Sequence, residues 1–395
     1  MDLFDKCFKF TRADEAKAQG YYPYFKAIQS GAGSTVMIDG KKFIMIGSNN
    51  YLGLTQDMRV KEAAIDALKR FGSGCTGSRY LNGTLTLHEE LEEKLAEFMH
   101  KDAVLVFSTG FQTNQGTISA VVGKYDTIFS DRGNHASIID GCRLAFGKVV
   151  RYKHNDMKDL ERQLKSHANN SGGKLIVSDG VFSMEGDIVK LPKVIELAKK
   201  YDARIMIDDA HSCGVLGKTG SGTGEHFGLE NGIDLVMGTF SKSFASIGGF
   251  IAGETKVISY IKHHARSFIF SASMPPSAVA TVSKALDILI SEPERIDQLW
   301  KNTRKMKKAF DEMGYDTGYS ETPIIPIILG EDLKTFMFWK ILFEHGIFAN
   351  PVVSPAVEPG HALLRTSYMA THTDEELDQV LDAFHKLGKQ FGLIN

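Results

Sequence analysis

The sequence predicts an α/β protein with a mostly parallel central sheet and a smaller C-terminal α/β lobe. The first observation is a series of short, wholly apolar segments separated by stretches with helical spacing. Uninterrupted apolar strands that alternate with helices are typical of a parallel sheet covered on both faces. The second observation is the length of 395 residues, which exceeds what one compact core usually supports. The expected strands are Val104–Phe107, Thr127–Phe129, Leu175–Val177, Ile205–Ile207, Leu235–Met237 and Phe250–Ala252.

Three parts are expected along the chain: an N-terminal arm over residues 1–56, a large domain over 57–280 and a small domain over 281–395. The arm should contain a short charged helix and a hairpin at Asp39-Gly40, a dipeptide that favours tight turns. The large domain should open with a helix that Asp57 caps.

The next elements follow from periodicity. A second helix should begin at His88, because Leu91, Leu95 and Phe98 fall on one face. For the small domain we expect three elements, namely the strand Ile324–Leu329, the helix Lys334–His345 and an edge strand at Leu363–Tyr368.

The composition excludes several classes of function. The net charge is −2 and basic runs are absent from the sequence, which argues against nucleic acid or an anionic membrane as the main partner. The four cysteines lie far apart and lack the spacing of metal or redox motifs. We therefore expect free thiols in a reducing compartment and no metal site.

Neither a secretory signal nor a membrane span is expected. The N-terminus carries Asp2 and Asp5 and has no continuous apolar core. The longest uncharged run, Ala103–Gly123, is interrupted by hydroxyl and amide residues. These observations predict a cytoplasmic protein, and they leave open a peripheral membrane contact through a few exposed apolar residues.

The strongest chemical signal is a lysine that follows an apolar strand, in Gly238-Thr239-Phe240-Ser241-Lys242. The strand before it in the chain ends in Asp208-Asp209-Ala210-His211. Taken separately, Lys242 could be a surface lysine and Asp208 a helix cap. Taken together at the carboxyl ends of strands, where open α/β sheets bind ligands, they suit one site. A lysine that holds an aldehyde and an acid that keeps a pyridine nitrogen protonated are what pyridoxal phosphate requires from a protein.

Three further positions carry weaker signals. Thr109-Gly110-Phe111 follows a strand and opens a helix, whose amides can bind a phosphate, although such joints are common. His135 suits either a structural role in the core or stacking on a cofactor ring. Arg365 could pair with a neighbour or lie along the surface, and it could equally bind the carboxylate of an amino acid through its planar fork.

Assembled in order, the motifs resemble the α-oxoamine synthase family, and the resemblance covers nearly the whole chain. They are Ser48-Asn49-Asn50-Tyr51-Leu52-Gly53-Leu54, Gly77-Ser78-Arg79, Ser108-Thr109-Gly110-Phe111, Asn134-His135-Ala136-Ser137, Asp179 to Asp187, Asp208-Asp209-Ala210-His211, Gly238 to Lys242 and Leu364-Arg365. The resemblance implies a fold-type I pyridoxal phosphate enzyme, similar in fold to aspartate aminotransferase. It also implies condensation of a small amino acid with an acyl-CoA, with release of CoA and carbon dioxide.

Within the family, the chain is similar to the bacterial serine palmitoyltransferase branch. The similarity lies in Gly20 to Phe25, Gly238 to Gly249, Ala265 to Ser273 and Asn350 to Val357. This branch implies L-serine and a long-chain acyl-CoA such as palmitoyl-CoA as substrates, 3-ketodihydrosphingosine as product and a role in sphingolipid biosynthesis. Some members of the branch carry an additional arginine before the Leu-Arg strand. The segment Pro351–Pro359 has none, so Arg365 would hold the carboxylate alone.

The resemblance also assigns roles to single residues. Lys242 would hold the cofactor and remove the α-proton, Asp208 would face the pyridine nitrogen, and His135 would stack on the ring. His211 and Ser183 would lie near the phenolic oxygen. The cofactor phosphate would lie on Thr109, Gly110, Phe111, Thr239 and Ser241. Asp179, Ser271 and Ser273 are also expected to contact the cofactor. The two serines are candidates for residues that a partner subunit of a homodimer supplies. Asn50 and Arg365 are expected to contact the substrate.

Several alternatives remain open at this stage. Within the family they are glycine C-acetyltransferase, also called 2-amino-3-ketobutyrate CoA ligase, and 8-amino-7-oxononanoate synthase. Outside it, a fold-type I aminotransferase would use a keto acid and need no CoA. A non-catalytic partner subunit is the fourth alternative, and the presence of Lys242 argues against it.

Overall fold

The computed structural model describes residues 2–395. Fifteen α-helices are assigned within this range: α1 Asp5–Phe8, α2 Arg12–Ala18, α3 Met58–Phe71, α4 Thr86–Phe98, α5 Gly110–Val121, α6 Ala136–Leu144, α7 Met157–Ser166, α8 Leu191–Tyr201, α9 Thr223–Phe227, α10 Thr255–His264, α11 Arg266–Ile269, α12 Pro276–Ser291, α13 Glu294–Met313, α14 Asp332–Glu344 and α15 Asp374–Gln390. The strands are β1 Thr35–Ile38, β2 Lys41–Met45, β3 Ala103–Phe107, β4 Thr127–Asp131, β5 Lys148–Tyr152, β6 Lys174–Asp179, β7 Arg204–Asp208, β8 Leu235–Thr239, β9 Gly249–Gly253, β10 Ile324–Gly330, β11 Ile347–Phe348, β12 Asn350–Val352 and β13 Ala362–Ser367.

The central sheet has seven strands in the order β3-β9-β8-β7-β6-β4-β5. The strands from β8 to β5 run parallel, and β9 is antiparallel to both of its neighbours. All six predicted strands are present, so the expected mostly parallel sheet is confirmed. Strand β5 was not predicted, because it is an edge strand in which exposed Lys148 and Arg151 break the apolar run.

The smaller sheet at the C-terminal end has the order β10-β13-β12. The strand that carries Arg365 is therefore central, and its prediction as an edge strand was wrong. Arg365 pairs with Pro326 on one side and with Asn350 on the other. Because β12 has three residues and contains Pro351, its sequence carried no strand signal that could have revealed this second neighbour.

The N-terminal hairpin is present as predicted, and Asp39 and Gly40 have φ angles of 49° and 72° at its turn. Its second strand pairs in parallel with β11, which makes a separate three-stranded sheet in the order β1-β2-β11. The hairpin is therefore joined to the C-terminal lobe. Ile44 and Ile46 pack in the same apolar cluster as Leu364 and Phe384. The division into three parts stays a prediction, and its boundary after residue 280 lies inside helix α12.

Helix α3 begins as predicted, with the side chain of Asp57 accepting the backbone N–H of Arg59 at 3.0 Å. Helix α12 packs against α3 and α4 on one face of the sheet. Among residues 2–395, the helices are all too short or too polar to cross a lipid bilayer. The carboxyl ends of the parallel strands β4, β6, β7 and β8 meet at one edge of the central sheet, where the candidate site lies.

Candidate active site

A cavity of about 240 Å³ opens at the carboxyl edge of the central sheet. Eleven of the predicted site residues line it together: Thr109, Gly110, Phe111, His135, Asp179, Ser183, Asp208, His211, Thr239, Ser241 and Lys242. The same wall includes six residues that were not predicted as site residues, namely Ser137, Val181, Ala210, Met237, Ile247 and Gly248. The strand-end positions expected from sequence therefore converge in space.

Lys242 enters the cavity from a turn that begins directly after β8. Phe240 and Phe244 flank it and are fully buried, and the N–H of Ala245 donates to the carbonyl of Lys242 at 3.0 Å. These anchors fix the direction of the lysine side chain. Burial lowers the pKa of Lys242 to about 8. The negative charge of Asp208 opposes this shift, and the positive charge of Arg365 adds to it. A lysine with such a pKa is a competent proton acceptor near neutral pH.

Asp208 is the last residue of β7 and is buried at the floor of the cavity. One carboxylate oxygen accepts the side-chain amide of Asn114 at 2.7 Å, and the other accepts the N–H of Ala210 at 3.0 Å. Asp209 points elsewhere, because its carboxylate accepts the N–H of Thr223 at 3.0 Å at the start of α9. Of the two adjacent acids, only Asp208 lines the cavity.

His135 caps helix α6, and its backbone N–H donates to Asp179 Oδ2 at 3.0 Å. The imidazole Nδ1 lies 2.7 Å from Ser137 Oγ. Burial lowers the pKa of His135, with Asp208 opposing the shift and Lys242 adding to it. Burial and the neighbouring Asp208 raise the pKa of Asp179 well above its usual range. The cavity therefore holds a neutral imidazole beside a carboxyl group that retains its proton more readily than usual.

His211 is also buried, and burial together with Lys242 lowers its pKa well below the usual range. Its Nδ1 lies 2.7 Å from the hydroxyl of Tyr51. Tyr51 belongs to one of the family motifs, and its contact with the site was not predicted. The local sequence around Tyr51 gives no sign of a contact that spans 160 residues.

Arg365 lies near Tyr51 and His211. Its Nε donates to the carbonyl of Ser183 at 2.6 Å and its Nη2 to Asn49 Oδ1 at 2.8 Å. The side chain is nearly buried. Among the described residues, the salt bridges of the protein do not include this guanidinium. A buried cation without a carboxylate partner in the protein suits an anionic ligand.

The chain matches the family of class I and II aminotransferases over residues 41–384. It is 53% identical over 388 residues to the serine palmitoyltransferase of Sphingobacterium spiritivorum, covering 98% of this chain and 97% of that protein. It is 47% identical to the 8-amino-7-oxononanoate synthase of Thermoanaerobacter pseudethanolicus, covering 99% of each. Its fold matches the solved serine palmitoyltransferase of Sphingomonas wittichii with a TM-score of 0.96 and 38% identity, covering 100% of both chains.

This chain belongs to the class I and II aminotransferase family.

Membership confirms the predicted fold, that of the fold-type I pyridoxal phosphate enzymes. A serine palmitoyltransferase from S. paucimobilis, solved with bound pyridoxal phosphate and myriocin, matches with a TM-score of 0.96 at 36% identity over 100% of both chains. The predicted resemblance to the serine palmitoyltransferase branch is confirmed by these relatives, and the relatives named 8-amino-7-oxononanoate synthase belong to the same set.

The residues of this family member fit pyridoxal phosphate. Thr109 caps α5, and a Cβ added at Gly110 would meet Thr239 Oγ1 at 2.7 Å, so only glycine leaves room at this helix start. The hydroxyls of Thr239 and Ser241 lie 3.1 Å apart beside it. A helix N-terminus with adjacent hydroxyls suits the phosphate, while Lys242 suits the aldehyde and Asp208 the pyridine nitrogen.

Four of the predicted positions do not line the cavity of this single chain: Arg365, which lies beside it and donates to the carbonyl of Ser183 in its wall, and Ser271, Ser273 and Asn50. Ser271 accepts the side-chain amide of Gln112 at 3.1 Å, and Ser273 donates to the carbonyl of Gly77 at 3.1 Å. The amide of Asn50 donates to Ala32 and Thr55, at 3.2 and 2.8 Å, rather than towards Arg365. Its neighbour Asn49 makes the contact with Arg365, so the substrate role of Asn50 rests on the family resemblance alone.

Proposed function

We propose that the protein is a pyridoxal phosphate-dependent acyltransferase that condenses L-serine with a long-chain acyl-CoA, such as palmitoyl-CoA, and releases CoA and carbon dioxide. The product would be 3-ketodihydrosphingosine. The observation that carries the proposal is that Lys242 and Asp208 line one cavity, and that Arg365, which has no carboxylate partner among the described residues, lies beside it and donates to Ser183 in its wall. The relatives named serine palmitoyltransferase, at 49–53% identity over nearly the full length, support serine and an acyl-CoA as the substrates.

When bound, pyridoxal phosphate supplies a protonated ring that takes up the electrons left at the serine Cα. The protein residues prepare this chemistry. Lys242 would hold the cofactor covalently through Nζ and, once released, accept the proton from the serine Cα. Its lowered pKa supports that role. The negative charge of Asp208 would keep the proton on the pyridine nitrogen.

The other residues position the reactants. Thr109, Gly110 and Phe111 would hold the phosphate with their amides, together with the hydroxyls of Thr239 and Ser241. His135 would cover one face of the ring, and His211 with Ser183 would lie at its phenolic oxygen. Arg365 would hold the serine carboxylate by a charge-assisted pair, which orients the amino acid before the acyl-CoA enters.

We also propose that the protein assembles as a homodimer. Phe270 and Leu81 are 75% and 78% exposed, and they flank the segments that an isolated bridge between Ser78 and Ala272 joins. Exposed apolar side chains in such a cluster suit a protein–protein contact. We place the interface of a homodimer here, which would bring Ser271 and Ser273 of a second copy close to the cofactor phosphate.

A peripheral membrane contact is proposed for the N-terminal segment. Leu3, Phe4, Phe8 and Phe10 are all exposed. The charges among them balance, since Asp2 and Asp5 accompany Lys6 and Lys9. Exposed apolar side chains on short helices suit insertion at the surface of a bilayer, from which a long-chain substrate could be collected. Sedimentation with anionic vesicles, compared between the protein and Phe4→Ser/Phe8→Ser, tests this contact.

The decisive experiment for the function assays serine, glycine and alanine, each with acetyl-, pimeloyl- and palmitoyl-CoA. Serine with palmitoyl-CoA should be preferred. Affinity should rise with acyl length up to a limit, since each buried methylene adds about 0.8 kcal/mol at most. A preference for glycine and acetyl-CoA would identify a 2-amino-3-ketobutyrate ligase.

The second candidate is 8-amino-7-oxononanoate synthase, which the relatives of that name at 43–47% identity favour. A preference for alanine with pimeloyl-CoA would identify it in the same assay. Turnover of serine with a keto acid in the absence of CoA would identify an aminotransferase. Binding of cofactor without turnover of any pair would identify a non-catalytic subunit.

A further inference from the structure

Asn114 connects the floor of the cavity with its side wall. Its side chain is fully buried on helix α5, and the amide nitrogen makes two hydrogen bonds, to Asp208 Oδ2 at 2.7 Å and to Ser137 Oγ at 2.8 Å. Its Oδ1 is buried without a hydrogen-bond partner among the described residues. A reversed amide would place this oxygen against a carboxylate, which can only accept. The amide nitrogen must therefore face Asp208.

The direction of the next hydrogen bond follows from the first. Ser137 Oγ accepts one N–H of Asn114, so its own proton is free to be donated. The nearest acceptor is His135 Nδ1, at 2.7 Å. The backbone N–H of Ser137 also points at this nitrogen, at 3.3 Å. Two donors that face Nδ1 require a lone pair there, so the ring proton of His135 is on Nε2.

We propose that Asn114 and Ser137 are positioning residues that hold His135 in the Nε2–H tautomer and connect it to the carboxylate of Asp208. The proposal rests on the proposed function, because it assigns what these two residues do at that site. These hydrogen bonds form a relay from Asp208 through Asn114 and Ser137 to His135. Without the relay, the imidazole could take its proton on Nδ1 or rotate away. With it, His135 presents a fixed N–H donor, and the same amide holds the orientation of Asp208.

The roles of the two residues differ. Asn114 contacts Asp208 and Ser137 but does not line the cavity, whereas Ser137 lies in its wall. Asn114 therefore acts through its neighbours. Ser137 is the member that can be altered with the smallest change in volume, since its loss removes a single hydroxyl.

The test observes the tautomer directly in the full-length, cofactor-loaded protein labelled with ¹⁵N-histidine. The protein has 13 histidines, and His135→Gln identifies which signals belong to His135. The wild type should show an unprotonated Nδ1 and a protonated Nε2. Ser137→Ala should give a mixture of tautomers, and Ser137→Thr, which keeps a hydroxyl, should restore the single form.

Asn114→Ala should also give a mixture of His135 tautomers. If this variant does not fold, the comparison of Ser137→Ala with Ser137→Thr decides. Thr117→Val is the matched control, because Thr117 is fully buried on the same helix and its hydroxyl has no hydrogen-bond partner among the described residues. It should leave the His135 signals unchanged. Ser137→Ala should also lower kcat about tenfold, as expected for one lost hydrogen bond.

A protonated Nδ1 in the wild type, or Ser137→Ala signals identical to those of the wild type, would overturn the proposal. These outcomes are independent of the substrate assay. A protein that fails to condense serine with an acyl-CoA can still show the fixed tautomer, and the reverse also holds. Failure of the relay and failure of the proposed function are therefore distinguishable.

Discussion

The hydroxyl of Tyr51 lies 2.7 Å from Nδ1 of His211, although the two residues are 160 positions apart. Burial raises the pKa of the Tyr51 phenol to about 12, so the hydroxyl keeps its proton. Arg365 lies beside the phenol oxygen and favours an orientation in which the proton faces the imidazole. His211 is thereby oriented with its other nitrogen available to the cavity.

Tyr51→Phe should weaken binding of the cofactor and shift its visible absorption spectrum, because His211 loses the donor that orients it. We expect a loss of about 1 kcal/mol, roughly fivefold in the dissociation constant. Titration with pyridoxal phosphate measures it. The control is Tyr152→Phe, since the hydroxyl of Tyr152 is buried without a hydrogen-bond partner among the described residues. Equal effects of the two variants would contradict the prediction.

Lys242→Ala should bind pyridoxal phosphate and lose turnover by at least about three orders of magnitude, because covalent attachment and proton removal both depend on Nζ. Borohydride reduction of the wild type, followed by peptide mapping, should place the cofactor on Lys242. Lys218, in the loop before α9, is the comparison lysine, and Lys218→Ala should keep full activity. An adduct on any other lysine would refute the assignment of the site.

Asp208→Asn should lower kcat by two to three orders of magnitude, about 3–4 kcal/mol of activation free energy, because the charge that keeps the pyridine nitrogen protonated is lost. Asp209→Asn should keep most of the activity and lower the free energy of unfolding by about 1 kcal/mol, since Asp209 holds the start of α9. Steady-state kinetics and urea unfolding separate the two effects. The opposite pattern would mean that the acids have exchanged roles.

Arg365→Ala should raise the KM for serine about 10- to 100-fold and leave the KM for the acyl-CoA nearly unchanged, because one charge-assisted pair is lost. Arg365→Lys should recover part of this, since an ammonium cannot reproduce the planar fork. Asn49→Ala should give a smaller increase, because Asn49 only supports the guanidinium. A large effect on the acyl-CoA alone would place Arg365 at the other substrate.

His154 should make stability depend on pH in the alkaline range. Burial alone would lower its pKa, but hydrogen bonds to Asp131 and Asp187 outweigh burial and raise the pKa to about 10. Because the folded-state pKa lies above the unfolded value, the stabilisation is complete below about pH 6.5 and is lost as pH rises towards 10. Urea unfolding between pH 6 and 10 should show this slope, and His154→Gln should flatten it. An unchanged slope in the variant would contradict the assignment.

The sequence by itself determined the parallel sheet and the positions of Lys242, Asp208 and Thr109. A buried parallel strand must be apolar throughout, and the polar residue that follows it must lie at the carboxyl edge. Local pattern is enough for both conclusions. The site roles of His135 and Arg365 came from the family resemblance, which could not say what their side chains contact.

Only the tertiary structure decided the supporting residues. Asn114, Ser137, Tyr51 and Asn49 act through hydrogen bonds to residues between 2 and 316 positions away, and no periodicity encodes such pairs. The amide run at Gln112-Thr113-Asn114-Gln115 was visible only as a break in an apolar segment. The central position of β13 was likewise set by its pairing with β12. Strand neighbours and side-chain partners depend on how distant segments pack, and the free energy of that packing is not a property of any single segment.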